Sequence, residues 1–208
     1  MHSSQRIAAA IAYFNTRRFQ QALADIADLL YSDSPSVDAL NLAAACSHAL
    51  DQPLEAERYW RLALAHDPGH AASWNNLGIL YQQHARVPEA EAAYRRAIAH
   101  EPRYVDAHYN LGLLLQQAGA LQAAADCHRQ TLALRPAHAG ASANLGVVLA
   151  QLGQPEEAQR RFGDAAALDP LDVESLRRRA DLLYGLGRLE QASECFQAAL
   201  ARQPDNAE

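Results

Sequence analysis

Three asparagines, Asn76, Asn110 and Asn144, recur at a spacing of 34 residues. An amide side chain carries both N–H donors and a carbonyl acceptor, and an extended peptide backbone offers the complementary groups at every residue. A row of such amides could therefore hold a peptide by its backbone without selecting its side chains. Each exchanged hydrogen bond contributes only about 0.5–1.5 kcal/mol net, so this chemistry predicts modest, multivalent binding. The alternative is that the amides only solvate an exposed surface.

Residues suited to catalysis or metal binding do not form a known motif. The sequence contains no nucleophile elbow, phosphate-binding glycine loop, HExxH or CxxC. His66, His70 and His100 lie within one stretch, but Pro68 stands between the first two, so they do not share a regular helical face. We therefore predict a protein that is not an enzyme and has no metal site and no cofactor.

Charge and hydropathy exclude several classes of partner. The net charge of −6 argues against general nucleic-acid binding, and no apolar run approaches the roughly 18 residues that a membrane span needs. All 18 basic residues are arginine, which indicates a bacterial-like codon bias rather than a specific chemistry. Three cysteines do not make a disulfide framework. Cys127 and Cys195 occupy equivalent positions two repeats apart, a separation on the order of 20 Å that a disulfide cannot span. These features predict a cytoplasmic protein that neither binds nucleic acid nor inserts into a membrane.

The elements that position the asparagines repeat with the same period. Six repeats fill residues 3–36, 37–70, 71–104, 105–138, 139–172 and 173–206. The period is marked by a proline near the end of each of the last five repeats, at Pro68, Pro102, Pro136, Pro170 and Pro204. An alanine series keeps the same step, at Ala22, Ala56, Ala90, Ala124, Ala158 and Ala192. Because 45 of the 208 residues are alanine, closely packed helices are favoured over strands.

Each repeat reads as two amphipathic helices joined by a short break. In the repeat 71–104 the first helix carries one apolar face, at Trp74, Leu77, Gly78 and Tyr81. The second helix repeats that spacing, at Ala90, Tyr94, Ala97 and Ile98. Small residues such as Gly78 and Ala90 stand where the two helices must approach closely. The repeat is therefore predicted to be a helix–turn–helix hairpin with its apolar faces inward.

These residues resemble the tetratricopeptide repeat (TPR) family, whose pattern has Trp, Leu-Gly, Tyr, Ala, an aromatic residue, Ala and Pro at these offsets. The repeat 71–104 matches every position, and the repeat 3–36 matches least well. The resemblance implies an all-α fold, a right-handed superhelical solenoid of six tandem units forming one domain over 3–206. It also implies a non-catalytic scaffold for protein–protein interaction.

The resemblance further implies that the first helix of each repeat lines a concave groove. At about 100° per residue, the three asparagines lie opposite the buried stripe and face this groove. The other candidate peptide-binding residues on the same side are Asn41, Asn75, Gln82, Gln83, Tyr109, Gln116, Gln117 and Gln151. At the C-terminal end, Arg177 and Arg178 could bind an acidic ligand residue, or they could simply pair with Glu174 and Asp181 at i,i+4 spacing.

Two alternative functions remain open. The asparagine row resembles that of the superhelical repeat domain of O-linked N-acetylglucosamine transferases, in which asparagines contact the peptide backbone. That role is carried onto Asn76, Asn110 and Asn144 alone, and it implies the substrate-recognition arm of a larger enzyme. The second alternative is a self-assembling scaffold, because Phe196 and Leu200 form an apolar face on the last helix that no later helix in the sequence covers.

Overall fold

The computed structural model describes residues 3–31, 35–169 and 172–202. Within these ranges the chain forms twelve α-helices and no strands, so the predicted all-α class is confirmed. The helices are α1 Ser3–Asn15, α2 Phe19–Leu30, α3 Val37–Ala49, α4 Pro53–His66, α5 Ala71–Gln83, α6 Val87–His100, α7 Val105–Gln117, α8 Leu121–Leu134, α9 Ala139–Gln151, α10 Pro155–Leu168, α11 Val173–Gly185 and α12 Leu189–Arg202.

Consecutive helices pair into hairpins that coincide with the predicted repeats. The chain divides into two compact units, Met1–Ala107 and His108–Glu208, called here the N-terminal and the C-terminal unit. Each unit is described by itself, and a single domain over 3–206 stays a prediction.

Local sequence explains where the helices begin and end. Side chains at four helix N-termini accept a hydrogen bond from a backbone N–H in the first turn, and these capping residues are Ser36, His70, His138 and Asp172. Proline occupies the first turn of three second helices, where its missing N–H has no cost, at Pro53, Pro88 and Pro155. Pro68, Pro102 and Pro136 each follow the last residue of a second helix by two positions. Pro170 and Pro204 lie outside the described residues.

Small residues bring the two helices of a hairpin together, as the sequence predicted. All six members of the alanine series are buried. A Cβ atom placed on Gly78 would lie 2.5 Å from a ring carbon of Tyr94. Only glycine allows α5 to lie so close to the aromatic ring of α6. The ring in turn closes the interior of the hairpin, since Tyr94 is fully buried.

The turn inside each hairpin needs one residue in the left-handed region of backbone space. The six positive φ angles of 57–77° fall 34 residues apart, at Arg17, Asp51, Ala85, Gly119, Gly153 and Gly187. Three repeats therefore use glycine and three use a residue whose Cβ is strained there. The sequence pattern does not reveal this position, because only half of the repeats mark it with glycine.

No helix among the described residues is long and apolar enough to cross a membrane. None of Cys46, Cys127 and Cys195, which all lie within the described residues, forms a disulfide bond. Burial raises the pKa of the Cys46 thiol to about 11.

Replacing Ala85 by glycine should stabilise the protein. The substitution removes the strain of an L residue at φ 57°, and this gain exceeds the added entropy of the unfolded chain, so we expect about 0.5–1 kcal/mol. Chemical denaturation measures the difference. The reciprocal control is Gly119→Ala in the next repeat, which should destabilise by a similar amount; a stabilising effect of that control would contradict the strain argument.

Candidate functional site

The three asparagines lie at the same position of their helices, six residues into the repeat. Asn76 lies on α5, Asn110 on α7 and Asn144 on α9, and each side chain is half-buried. Their neighbours Leu77, Leu111 and Leu145 are buried in the hairpins. The amides are therefore carried on the side of the first helix that faces away from its hairpin partner.

In the N-terminal unit Asn76 is bonded to the preceding repeat. Its Nδ2 atom donates to Oδ1 of Asn41 at 3.2 Å. The same oxygen accepts hydrogen bonds from Nε1 of Trp60 at 3.0 Å and from Oγ of Ser73 at 3.4 Å. Asn41 thus joins α3, α4 and α5, and its carbonyl oxygen is an internal acceptor rather than a group held out toward a ligand.

In the C-terminal unit Asn144 makes the corresponding bond. Its Nδ2 atom donates to the hydroxyl oxygen of Tyr109 at 3.1 Å, again one repeat back. The Tyr109 ring also packs against His138 with centroids 4.6 Å apart. Burial raises the pKa of the Tyr109 hydroxyl, and the bond from Asn144 partly offsets that rise. Asn76 and Asn144 are therefore each oriented by a fixed partner. A primary amide has a second N–H and a carbonyl oxygen besides the N–H used in such a bond.

Asn75 does not line an open face, and that prediction is wrong. Its side chain is only 4% exposed. The fifth position of a first helix points toward the following repeat, as the bonds made by Asn41 and Tyr109 show. Helical geometry alone placed this position beside Asn76 on an open face, but the side chain is buried.

The glutamines divide into a half-buried and an exposed set. Gln82 is half-buried, and its Oε1 accepts from the hydroxyl of Tyr94 at 2.9 Å. Gln83, Gln117 and Gln151 are exposed at the ends of their helices. Gln83 is also 2.6 Å from Nε2 of His48. The exposed set extends the amide-bearing face, whereas Gln82 mainly holds its own hairpin together.

The repeat 105–138 breaks the bond that Gln82 makes in the repeat before it. His128 stands where Tyr94 stands, and Gln116 where Gln82 stands. The imidazole is shorter than a phenol, and among the described residues neither ring nitrogen of His128 nor Oε1 of Gln116 has a hydrogen-bond partner, although these atoms are buried. Burial lowers the pKa of His128 to about 4, and the charge of nearby His138 adds to the effect. His128 stands where the repeat pattern has an aromatic residue, and its burial beneath Tyr109 emerges only from the fold.

The two arginines of the C-terminal end are paired with one carboxylate. Arg177 donates to both oxygens of Glu174 at 2.9 Å, and Nε of Arg178 donates to Glu174 at 2.8 Å. The i,i+4 spacing predicted a pair between Arg177 and Asp181. In the structure Arg177 binds Glu174 instead, three positions before it. Partial burial raises the pKa of Glu174, but the bonds from both arginines outweigh it and lower that pKa below its ordinary value. The exposed pairs contribute little stability.

The described residues contain no group of three or more histidine, cysteine or acidic side chains that could hold a metal ion. What the arrangement offers chemically is hydrogen bonding by oriented amides, with half-buried Leu113 and Val147 supplying apolar contact between them.

Comparisons with known proteins agree with this architecture. A tetratricopeptide repeat family model matches residues 75–139 and 144–207, more than half of the chain. No curated protein matches the chain in sequence. The structure is similar to that of pilF from Pseudomonas aeruginosa, with 20% identity over 98% of this chain and 93% of that chain and a TM-score of 0.85.

Two further solved structures are similar over most of their length. PilW, described as a widely conserved type IV pilus biogenesis factor, is 25% identical over 99% of this chain and 95% of its own, with a TM-score of 0.79. YrrB, described as a TPR protein with an unusual peptide-binding site, is 20% identical over 90% of this chain and 93% of its own, with a TM-score of 0.72.

His128 should make the protein less stable in acid. A histidine with a pKa of about 4 when folded and about 6.5 when unfolded binds its proton more readily in the unfolded state. The free energy of unfolding that depends on neutral His128 is fully present above pH 6.5. It decreases by up to about 3 kcal/mol as the pH falls toward 4. Replacing His128 by phenylalanine, the residue at this position in the next repeat, should remove that part of the pH dependence.

Thermal melting of the parent and the variant between pH 4 and 7 measures this effect. His100→Gln is the matched control, because His100 is exposed at the end of α6 and its loss should leave the pH profile as it is in the parent. Parallel profiles for His128→Phe and the parent would contradict the argument.

Proposed function

The chain belongs to the tetratricopeptide repeat family, and on this basis we propose that it binds extended peptide segments on the amide-bearing face of its first helices. The coarser role, a scaffold for protein–protein interaction, is the general role of this family. The observation that carries the finer proposal is the bond that fixes two of the three amides to the preceding repeat, Asn76 to Asn41 and Asn144 to Tyr109.

Fixing an amide in advance favours binding of a flexible peptide. A side chain that is already ordered loses little conformational freedom when the ligand arrives, so more of its hydrogen-bond energy appears as affinity. Asn144 keeps one N–H and its carbonyl oxygen for a backbone, in addition to the N–H given to Tyr109. The half-buried side chains of Leu113 and Val147 add apolar contact that does not select a sequence. The peptide-binding site named in the description of YrrB is consistent with this use of the fold.

The asparagines can be tested without unfolding the protein. At Asn144, alanine loses one hydrogen bond worth about 0.5–1.5 kcal/mol but is a better helix former by about half a kcal/mol. We expect the variant Asn76→Ala, Asn110→Ala, Asn144→Ala to remain folded and to bind unstructured peptides at least tenfold more weakly, as the loss of two or more such bonds implies. Titration calorimetry with a pool of unrelated unstructured peptides gives the affinity.

Two controls separate backbone recognition from general stickiness. The matched variant Gln20→Ala, Gln122→Ala, Gln130→Ala removes three exposed amides from second helices and should bind as the parent does. Peptides N-methylated at alternate residues lack half of their N–H donors and should bind weakly. Equal affinity of the asparagine variant and the parent would mean that the amides only solvate the surface.

The alternative of a recognition arm in a larger enzyme, such as a glycosyltransferase, uses the same asparagines. It would differ in the ligand, which would be the enzyme's substrate protein. The description of PilW suggests another form of the scaffold role, in which the bound partner belongs to an assembling protein complex. Either role would be compatible with a cytoplasmic protein that has no catalytic residues of its own.

A second candidate function, self-association, is favoured by the exposed face of α12. Leu189 is 59% exposed, Phe196 38% and Leu200 60%, and their spacing places all three on one side of the helix. Tyr184, at the end of α11, is 67% exposed as well. Apolar side chains grouped in this way favour contact with another protein surface, and a second copy of the chain offers one.

Charge on this face should prevent such self-association. The variant Leu189→Glu, Leu200→Glu replaces two exposed residues, so it should fold normally. It should shift the protein toward monomer, because a contact between copies would bury unpaired charge. Light scattering across a concentration series measures the molecular mass. Leu54→Glu, at an isolated residue on α4 that is 82% exposed, is the control. A parent that is monomeric at every concentration would exclude this function.

A further inference from the structure

The N-terminal unit contains a cavity on the opposite side of α5 from Asn76. The cavity has a volume of about 510 Å³ and lies among α4, α5 and α6. From α5 it receives Trp74, Leu77 and Tyr81, which belong to the apolar stripe of that helix. We call it the outer pocket. It shares no lining residue with the amide-bearing face, so its role is independent of the proposed peptide groove.

The floor of the outer pocket is apolar. Leu64, Leu77, Tyr81 and Ala93 are buried and line its base. Its volume falls in the range of small-ligand sites, which is enough for one large side chain with its backbone. The ligand that this floor fits therefore has an apolar or aromatic side chain.

Charges at the pocket are nearly balanced by a network around Glu57. This carboxylate, whose side chain is 17% exposed, lies 2.7 Å from Arg61 and 3.1 Å from Arg86. It also accepts from the hydroxyl of Tyr81 at 3.2 Å. Arg86 in turn binds Glu89 at 3.1 Å. The two carboxylates of this network therefore balance the charges of its two arginines, and Arg96 lies outside the network.

Arg96 is the remaining charge, and it makes no ion pair with the described residues. Its guanidinium carbon lies 4.6 Å from the centroid of the Trp74 ring, the geometry of a cation–π contact. The indole is itself fixed, because Nε1 of Trp74 donates to the carbonyl oxygen of Pro68 at 2.8 Å. A stacked guanidinium keeps its N–H edge available, and that edge matches a carboxylate with two parallel hydrogen bonds.

We propose that the outer pocket binds an acidic peptide segment of a partner protein, with one apolar or aromatic side chain on the floor and an adjacent carboxylate on Arg96. The pocket is a positively charged opening in a chain whose net charge is −6, so charge complementarity selects acidic partners at this place. The apolar floor supplies affinity, and Arg96 sets the position of the carboxylate.

The two tryptophans of the chain make this proposal directly measurable. Trp60 is 2% exposed and bonded to Asn41, whereas Trp74 lines the pocket. Their two indole N–H signals in a nitrogen-15 NMR spectrum can be assigned with Trp74→Phe. Titration with acetyl-Ser-Glu-Phe-Glu-Ser-amide should shift the Trp74 signal saturably and leave the Trp60 signal in place. The neutral peptide acetyl-Ser-Gln-Phe-Gln-Ser-amide should bind about tenfold more weakly, as the loss of one charge-assisted contact implies.

Variants at adjacent arginines provide the decisive comparison. Arg96→Gln should weaken binding of the acidic peptide about tenfold. Arg95→Gln is the matched control, because Arg95 is the next residue on α6 and is paired with Glu91 at 2.8 Å. An unmoved Trp60 signal shows that each variant is folded. An equal loss in both variants, an unchanged affinity in Arg96→Gln, or a Trp74 signal that does not respond to the acidic peptide would overturn the proposal.

Asn76→Ala, Asn110→Ala, Asn144→Ala separates this site from the proposed groove. The variant should retain the response of Trp74 to the acidic peptide. Loss of that response would place the peptide on the amide-bearing face and overturn the assignment of the outer pocket, whereas failure of the groove alone would leave the pocket standing.

Discussion

The hairpins depend on one steric constraint, the small residue that lets a first helix lie against the ring of its own second helix. In the middle repeats this residue is glycine, and a Cβ atom there would lie 2.5 Å from Tyr94, 2.7 Å from His128 or 2.8 Å from Phe162. Alanine serves at the same position in the other repeats, where Ala10, Ala44 and Ala180 are fully buried. This contact fixes the rotation of the first helix about its axis. The direction of the asparagine side is then fixed as well, because two positions on one helix keep a constant angle to each other.

The same constraint explains how much could be predicted from the sequence. The period of 34 residues, the helix pairs and the buried alanines are properties of single repeats, so pattern alone predicted them. The burial of Asn75 could not be predicted in this way, because the periodicity of a single helix does not show which polar positions the tertiary structure buries. The sequence pattern places Asn76 and Asn144 on first helices, but their bonds to Asn41 and Tyr109 arise from the stacking of repeats within each unit. Contacts between repeats are what a periodic pattern leaves undetermined.

Two of the asparagines have a structural role besides the one that we propose. Asn76 and Asn144 join successive repeats within their units, and the same bonds hold their amide groups in a fixed orientation. In a repeat protein each hairpin is stabilised by its neighbours, so these bonds contribute to the stacking of the repeats. Under the proposed function the same side chains serve both stacking and peptide binding, at a helical position where alanine would be the better helix former.

Substitution at a single pair of positions shows how repeats with one backbone acquire different properties. The pair is Tyr94 with Gln82 in one repeat and His128 with Gln116 in the next, and then Phe162 with Ala150. The first pair is joined by a hydrogen bond of 2.9 Å, and the last has no polar side-chain atom to satisfy. The middle pair keeps polar atoms on both side chains, but the two ring nitrogens of His128 and Oε1 of Gln116 are buried and lack partners among the described residues. Because His128 packs against Tyr109, and Tyr109 orients Asn144, this buried and weakly basic imidazole lies directly beneath the amide-bearing face of the C-terminal unit. A substitution inside a hairpin can thus affect the candidate site through two contacts, His128 with Tyr109 and Tyr109 with Asn144. The helices that carry the site need not change.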